Sequence, residues 1–198
     1  MTRAEPVTLR TERTVLRPWR DDDLEAFAAL CANAAVMRYF PSVLDREQSD
    51  QFARRVRGYF GDHGWGLWAL EVPRLTAFAG FVGLMRQDFP AHFTPAVEVG
   101  WRLDARWWGR GLAPEAARAA LAFGFGTLGL DEIVSMTVPA NRPSRRVMEK
   151  LGMRHDPSDD FDHPRLPVGD PLRRHVLYRL ARTDWLQESD TVVSGLPG

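Results

Sequence analysis

Residues 64–115 constrain the fold more than any other stretch. Three short apolar runs, Trp65 to Val72, Phe78 to Met85 and Ala96 to Leu103, are separated by turn residues. They lead into Arg106-Trp107-Trp108-Gly109-Arg110-Gly111-Leu112-Ala113-Pro114-Glu115. Runs of this length between turn signals predict strands. Pro114 then stands just inside a stretch of high helix propensity, Ala116 to Leu128, that Gly129 closes. Proline costs least in the first helical turn, where its absent N–H would have no partner, and glycine suits the left-handed residue after a helix. Strands that feed a glycine-containing turn and a helix call for a sheet with helices packed on it.

The flanking sequence extends this pattern. Val7 to Trp19 reads as a first strand region ending at Pro18, and Asp21, Asp22 and Asp23 open a helix carrying Leu24, Phe27, Ala28, Leu30 and Cys31. Asp45 to Phe60 predicts a second helix, with Phe52, Val56, Tyr59 and Phe60 at three- and four-residue spacings. Ile133 to Val138 predicts a strand, Ser144 to Leu151 a short helix closed by Gly152, and Arg174 to Leu180 a last strand. Asp156 to Pro171, with four prolines and five aspartates, predicts a loop. The class is α/β (α+β), a mixed sheet interleaved with helices. At 198 residues the chain has the length of one domain, placed at 1–185, with a flexible tail at 186–198.

Composition narrows the function. Lys and Arg number 26 against 26 Asp and Glu, so there is no net field of the kind a general nucleic-acid or anionic-membrane binder uses. Cys31 is the only cysteine, which leaves no internal disulfide and no Cys-based zinc site and fits a reducing, cytoplasmic compartment. No apolar run approaches the ~20 residues that span a bilayer. Seven tryptophans point to large aromatic contacts without saying with what.

Gly109 and Gly111 let backbone approach a ligand closely, and the helix start beyond them offers unpaired N–H groups at the positive end of its dipole. Such a turn suits an anion, most naturally phosphate, with Arg106 and Arg110 adding charge. Two familiar phosphate motifs fail here. The dinucleotide fingerprint needs glycine where Pro114 stands, and the Walker Gly-Lys-Ser/Thr is absent. A tight strand-to-helix turn with solvated arginines is the plainer alternative.

Further motifs occur in order: Leu16-Arg17-Pro18-Trp19 before the aspartates, Val36-Met37-Arg38-Tyr39-Phe40, Glu98-Val99-Gly100-Trp101, Arg106-x-x-Gly109-x-Gly111, and Asn141-x-x-Ser144-x-x-x-Met148-Glu149-Lys150-Leu151-Gly152-Met153. Across about residues 8 to 182 this text resembles the GNAT superfamily of acetyl-CoA-dependent N-acyltransferases, and within it the RimJ/RimL-like ribosomal-protein N-terminal acetyltransferases. The resemblance implies a mostly antiparallel sheet with splayed fourth and fifth strands, helices on both faces, acetyl-CoA as co-substrate and no metal. It implies that the coenzyme A pyrophosphate rests on N–H groups of Trp108, Gly109, Arg110, Gly111, Leu112 and Ala113, with Arg106 at a position usually Gln or Arg. Val99 and Trp101 would bond the pantetheine arm through their main chain and polarise the thioester carbonyl.

Asn141 resembles the family asparagine that contacts the cofactor arm, and is also a good helix N-cap. Met148 stands where many relatives carry a tyrosine that protonates the leaving thiolate. Ser144, one turn earlier, matches the serine of the RimL-like branch, or is an ordinary early-helix polar residue. Glu98 resembles the branch's strand glutamate and is the candidate base for the amine proton. By alternation it shares a face with Gly100 and Arg102, so a structural pair with Arg102 or another arginine is its alternative role. Asp160, Asp162 and His163 are further candidates, and His92 and Phe93 would border the acceptor. Trp101, Trp107 and Trp108 fall beside the implied cofactor slot.

The expected activity is direct acetyl transfer in a ternary complex to a primary amine. The acceptor is a protein N-terminal α-amine of the ribosomal type or a small molecule, with no direct nucleic-acid or membrane partner, and with a homodimer suggested by the branch. The rival, prompted by Met148, is a non-catalytic acyl-CoA-binding or sensing module on the same fold.

Overall fold

The computed structural model describes residues 5–187. The chain divides into two compact units, Met1–Met85 with Val99–Ala120, and Arg86–Glu98 with Leu121–Gly198.

In the first unit, β1 (Leu9–Arg10) pairs antiparallel with β2 (Val15–Arg17), so the expected single strand region is a hairpin. The reason is local. Thr11 and Thr14 hydroxyls lie 2.7 Å apart, and Thr14 N–H donates to Thr11 Oγ1 at 2.9 Å, closing a turn that leaves charged Glu12 and Arg13 exposed. Helix α1 (Asp23–Ala32) follows, then α2 (Arg46–His63), whose start is a capping box between Asp45 and Gln48 and whose end is Gly64 at φ 77°. Strands β3 (Leu67–Val72) and β4 (Thr76–Gln87) pair antiparallel, and β3 also pairs with β2. The strand order here is β1-β2-β3-β4-β5, with β5 spanning Ala96–Leu103 as expected. A Cβ on Gly80 would lie 2.1 Å from Arg102 O, so only glycine lets β4 and β5 approach this closely. Trp19 packs edge-on to Phe27 (4.8 Å) and Phe78 (5.3 Å), and its Nε1–H donates to Leu67 O at 2.7 Å.

A 3₁₀ turn (Ala105–Trp107) leads to α3 (Leu112–Gly126), which begins earlier than Pro114 suggests. The second unit holds β6 (Glu132–Thr137), α4 (Arg142–Lys150), β7 (Arg154–His155), β8 (Phe161–Asp162) and β9 (Arg174–Ala181). Its order is β5-β6-β9-β7, with β8 also on β9. The parallel step from β5 to β6 is crossed by α3, as a parallel connection requires. Among the described residues that ladder has one register pair, Glu98 with Val134, as splayed strands would leave. β6 and β9 pair antiparallel over six positions, Glu132 to Thr137. The stretch 156–171 is not all loop. It contains a 3₁₀ turn at Pro157–Asp159 and β8, because Phe161 is drawn into a cluster with Phe89, Phe93, Val134 and Leu177. The class is therefore a mixed α/β fold with a mostly antiparallel sheet. Of the expected tail at 186–198, residues 188–198 lie outside the described residues.

Candidate active site

After β5, Asp104 N–H donates to Ala79 O at 2.9 Å and the chain turns into two left-handed glycines, Gly109 (φ 71°) and Gly111 (φ 76°). Pro114 has no N–H, and Glu115 N–H reaches back to Gly111 O at 3.3 Å. Among the described residues the N–H groups of Gly109, Arg110, Gly111, Leu112 and Ala113 have no protein acceptor, and they gather at the amino end of α3. A Cβ on Gly109 would meet nothing within 4 Å. Trp108 departs from the expected cradle. Its N–H is already donated to Ala105 O at 3.2 Å, and its ring Nε1–H to Leu103 O at 2.8 Å.

The arginines of this turn are tied down. Arg106 is bound side-on by Asp104 through Nε (3.1 Å) and Nη2 (2.8 Å), which cancels the charge it would bring to an anion. Arg110 lies over the Trp107 ring at 5.1 Å. A clasp with no local sign in the sequence secures the turn: Arg13 Nη1 donates to Arg110 O at 3.0 Å while its Nε donates to Glu115 at 2.6 Å. Thr11 Oγ1–H adds a 2.6 Å bond to Glu115. Burial opposes the charged form of Glu115, but the Thr11 and Arg13 bonds outweigh it and hold the carboxyl below its usual range. Beside the turn, a cavity of about 490 Å³ is lined in part by Arg13, Arg74, Trp107 and Arg110. On β5, Val99 is fully buried and Trp101 half-buried.

In the second unit, Glu98 accepts a 2.7 Å bond from Gln87 Nε2 and another from the Met136 main chain. Burial pushes its carboxyl up to about 7 despite these two bonds, which favour the charged form. Such a group exchanges protons near neutrality, where a general base works best. Among the described residues no arginine pairs with Glu98. Arg102 lies over Phe40 at 4.1 Å.

The other candidate bases are engaged elsewhere. Asp160 bonds His155 Nε2 at 2.7 Å, and Asp162 pairs with Arg173 (3.3 Å) and Arg174 (3.6 Å). Burial, with His175 and Arg165 nearby, pushes His163 down to about 4, leaving it neutral and weakly basic at pH 7. His92 faces Asp159 at 3.2 Å, and Phe93 belongs to the aromatic cluster.

Asn141 caps α4: its Oδ1 accepts from Ser144 N–H at 3.3 Å, and its Nδ2 donates to Thr137 Oγ1 at 2.9 Å. Each amide atom keeps one further bonding site. Ser144 is half-buried in the first turn of α4, and its hydroxyl has no partner among the described residues. Met148, one turn on, is 1% exposed and offers no proton.

Residues 13–154 match the acetyltransferase (GNAT) domain, a stretch that includes both units' halves of β5. The chain belongs to the GNAT acetyltransferase family. It is 32% identical over 200 residues to the FsC-acetyl coenzyme A-N(2)-transacetylase of Aspergillus fumigatus, covering 93% of this chain and 80% of that protein. It is 26% identical over 192 residues to the ribosomal protein uS5-alanine N-acetyltransferase of Escherichia coli, covering 90% and 93%. A GNAT-family acetyltransferase from Bacillus anthracis has a TM-score of 0.74 at 26% identity, covering 89% of this chain and 99% of that one.

GNAT enzymes use acetyl-CoA, and the turn at 109–113 fits its diphosphate: five donors without a protein acceptor, and at Gly109 a place where a side chain would project into open space. Among the described residues, no group of three His, Cys, Asp or Glu side chains could hold a metal ion, and no helix is long and apolar enough to cross a membrane. Two residues that support this GNAT site were not singled out from the sequence: Arg13, 102 positions from Glu115, and Gln87, 11 positions from Glu98. The only local trace was a glutamate in the first turn of a helix.

Proposed function

We propose that residues 1–185 form one N-acetyltransferase domain that moves acetyl from acetyl-CoA directly to a primary amine in a ternary complex. The observation that carries this reading is the row of N–H donors from Gly109 to Ala113, which matches a diphosphate in charge and in access. When bound, acetyl-CoA supplies an activated acyl carbon and a thiol leaving group. Glu98 accepts the proton that the amine nitrogen gives up, its raised affinity for protons suiting it to neutral pH. Ser144 Oγ–H is the hydroxyl available at the amino end of α4, and a thiolate is a good enough leaving group to need little more. Val99 and Trp101 lie on β5, where the family resemblance puts the main-chain contacts to the pantetheine arm, and Asn141 has a second amide contact to give beyond its cap.

The acceptor is a protein N-terminal α-amine or a small-molecule amine. Two relatives support an amine acceptor, one named as a ribosomal protein uS5-alanine N-acetyltransferase and one as an FsC-acetyl coenzyme A-N(2)-transacetylase. The test is calorimetry with acetyl-CoA followed by thiol release across a panel of amines and peptide N-termini. Saturable binding with amine-dependent thiol release is expected. Tight binding with no release for any amine would favour a sensor, and no binding would overturn both the cradle and the activity.

A further inference from the structure

The first unit buries two arginines, Arg17 and Arg102, at 3% and 8% exposure. Arg17 satisfies every donor atom: Nε bonds Glu71, Nη1 bonds Asp23 and Pro18 O, and Nη2 bonds Asp23 and Ala77 O. Among the described residues Arg102 meets no carboxylate. Phe40 lies against its guanidinium at 4.1 Å, with Phe81 and Phe52 at 5.4 and 5.5 Å. Its Nη1 donates to Cys31 Sγ at 3.3 Å, a thiol whose proton burial holds more tightly than usual, so that no counter-charge is supplied.

The remaining edge of Arg102, Nε and Nη2, has no acceptor among the described residues. Nε is enclosed, and Nη2 is not among the enclosed atoms. In the same unit this edge is the one that meets a carboxylate: Arg106 holds both oxygens of Asp104 through Nε and Nη2, and Arg13 directs the same two atoms at one oxygen of Glu115. The aromatic rings orient the guanidinium plane but cannot accept its edge hydrogens as a carboxylate does. A buried guanidinium left in this condition is costly to the fold. Gly100, on the same face of β5, has no side chain, and a Cβ there would meet nothing within 4 Å.

We propose that Arg102 receives, through Nη2 at its unpartnered edge, the carboxylate of an acceptor that carries both an amine and a carboxylate. This rests on the acetyltransferase reading and names the acceptor class. Arg102 is thereby a specificity-determining residue, and its charge favours a carboxylate over a neutral amide.

The test has two arms on the full chain. In the first, the ¹⁵N-resolved Nε–H signal of Arg102, assigned by its loss in Arg102→Lys, is followed while propionate or propionamide is added. A saturable shift with propionate and none with propionamide is expected, and no saturable propionate shift overturns the proposal. In the second, amino acids of graded length are compared with their carboxamides as acceptors. The acid is expected to lead in kcat/KM by about 10- to 100-fold, and Arg102→Lys to erase most of that lead while acetyl-CoA affinity stays unchanged. Equal kcat/KM for every pair in the natural protein overturns the proposal while leaving acetyl transfer standing. If no amine is acetylated at all, the acetyltransferase reading fails, and the propionate shift alone decides whether Arg102 is a carboxylate site. A purely structural Arg102 would change melting temperature in Arg102→Lys without moving the acid-to-amide ratio.

Discussion

The turn at 109–113 and the surroundings of Glu98 solve different problems with different materials. The turn presents main-chain N–H groups, and its capacity depends on two backbone dihedrals and a helix start, with side chains serving mainly to brace it. Around Glu98 the capacity sits in one carboxyl group, whose proton affinity is set by burial and trimmed by Gln87 and Met136. Side-chain changes at the turn should therefore matter only where they intrude on the donors. At Glu98, replacing one oxygen should be enough to remove the function.

The largest effect should come from Glu98→Gln. It keeps size and hydrogen-bonding capacity but cannot take a proton, so kcat should fall by about 10²- to 10³-fold. Acetyl-CoA affinity, read by calorimetry, should hold. Next is Gly109→Asp, at a position with room for a Cβ and a left-handed φ that Asp tolerates better than most residues. It adds a negative charge to the turn whose donors suit a diphosphate, and acetyl-CoA should bind about 100-fold more weakly, ~3 kcal/mol. Arg110→Ala sharpens the contrast: with the donors intact, it should cost about threefold or less. If Arg110→Ala weakens binding as much as Gly109→Asp, the side chains and not the backbone hold the anion.

A smaller effect is expected on stability. The folded state holds the Glu98 proton to about pH 7, against an ordinary value of 4.5. Below 4.5 both folded and unfolded chains are protonated there and Glu98 costs nothing. As pH rises from 4.5 to 7 the unfolded chain releases the proton first, so folding loses stability, and the full cost is present above 7. Glu98→Gln should therefore gain about 1–3 kcal/mol over the natural protein at pH 8 and nothing at pH 4, measured by urea unfolding. Smallest of these is Asn141→Ala, which removes the α4 cap and should cost about 1 kcal/mol. An Asn141→Ala protein of unchanged stability would mean that the cap is not what the asparagine contributes.

The turn was legible because glycine's conformational freedom and the helix start are local properties. The bounds of β5 were legible too, since Pro95 and Asp104 bracket an apolar run. Val7 to Trp19 misled because a two-threonine turn interrupts what composition presents as one strand. The aspartate- and proline-rich stretch misled because the burial of one aromatic, Phe161, outweighs local loop preference. At Glu98 the surroundings were not legible. Alternation pointed to Arg102, but the actual partners are Gln87 and the Met136 main chain, brought there by tertiary packing. The same packing gives Arg102 aromatic neighbours in place of a carboxylate.

The most direct test of this division of labour is the titration of Glu98 itself, by ¹³C NMR of its side-chain carboxyl in the natural protein, assigned by its loss in Glu98→Gln. A midpoint near 7, matched by a rise in kcat over the same pH range that Glu98→Gln lacks, is the predicted result. A midpoint at the ordinary carboxylate value near 4.5, or a rate that rises through 7 unchanged in Glu98→Gln, would contradict the account.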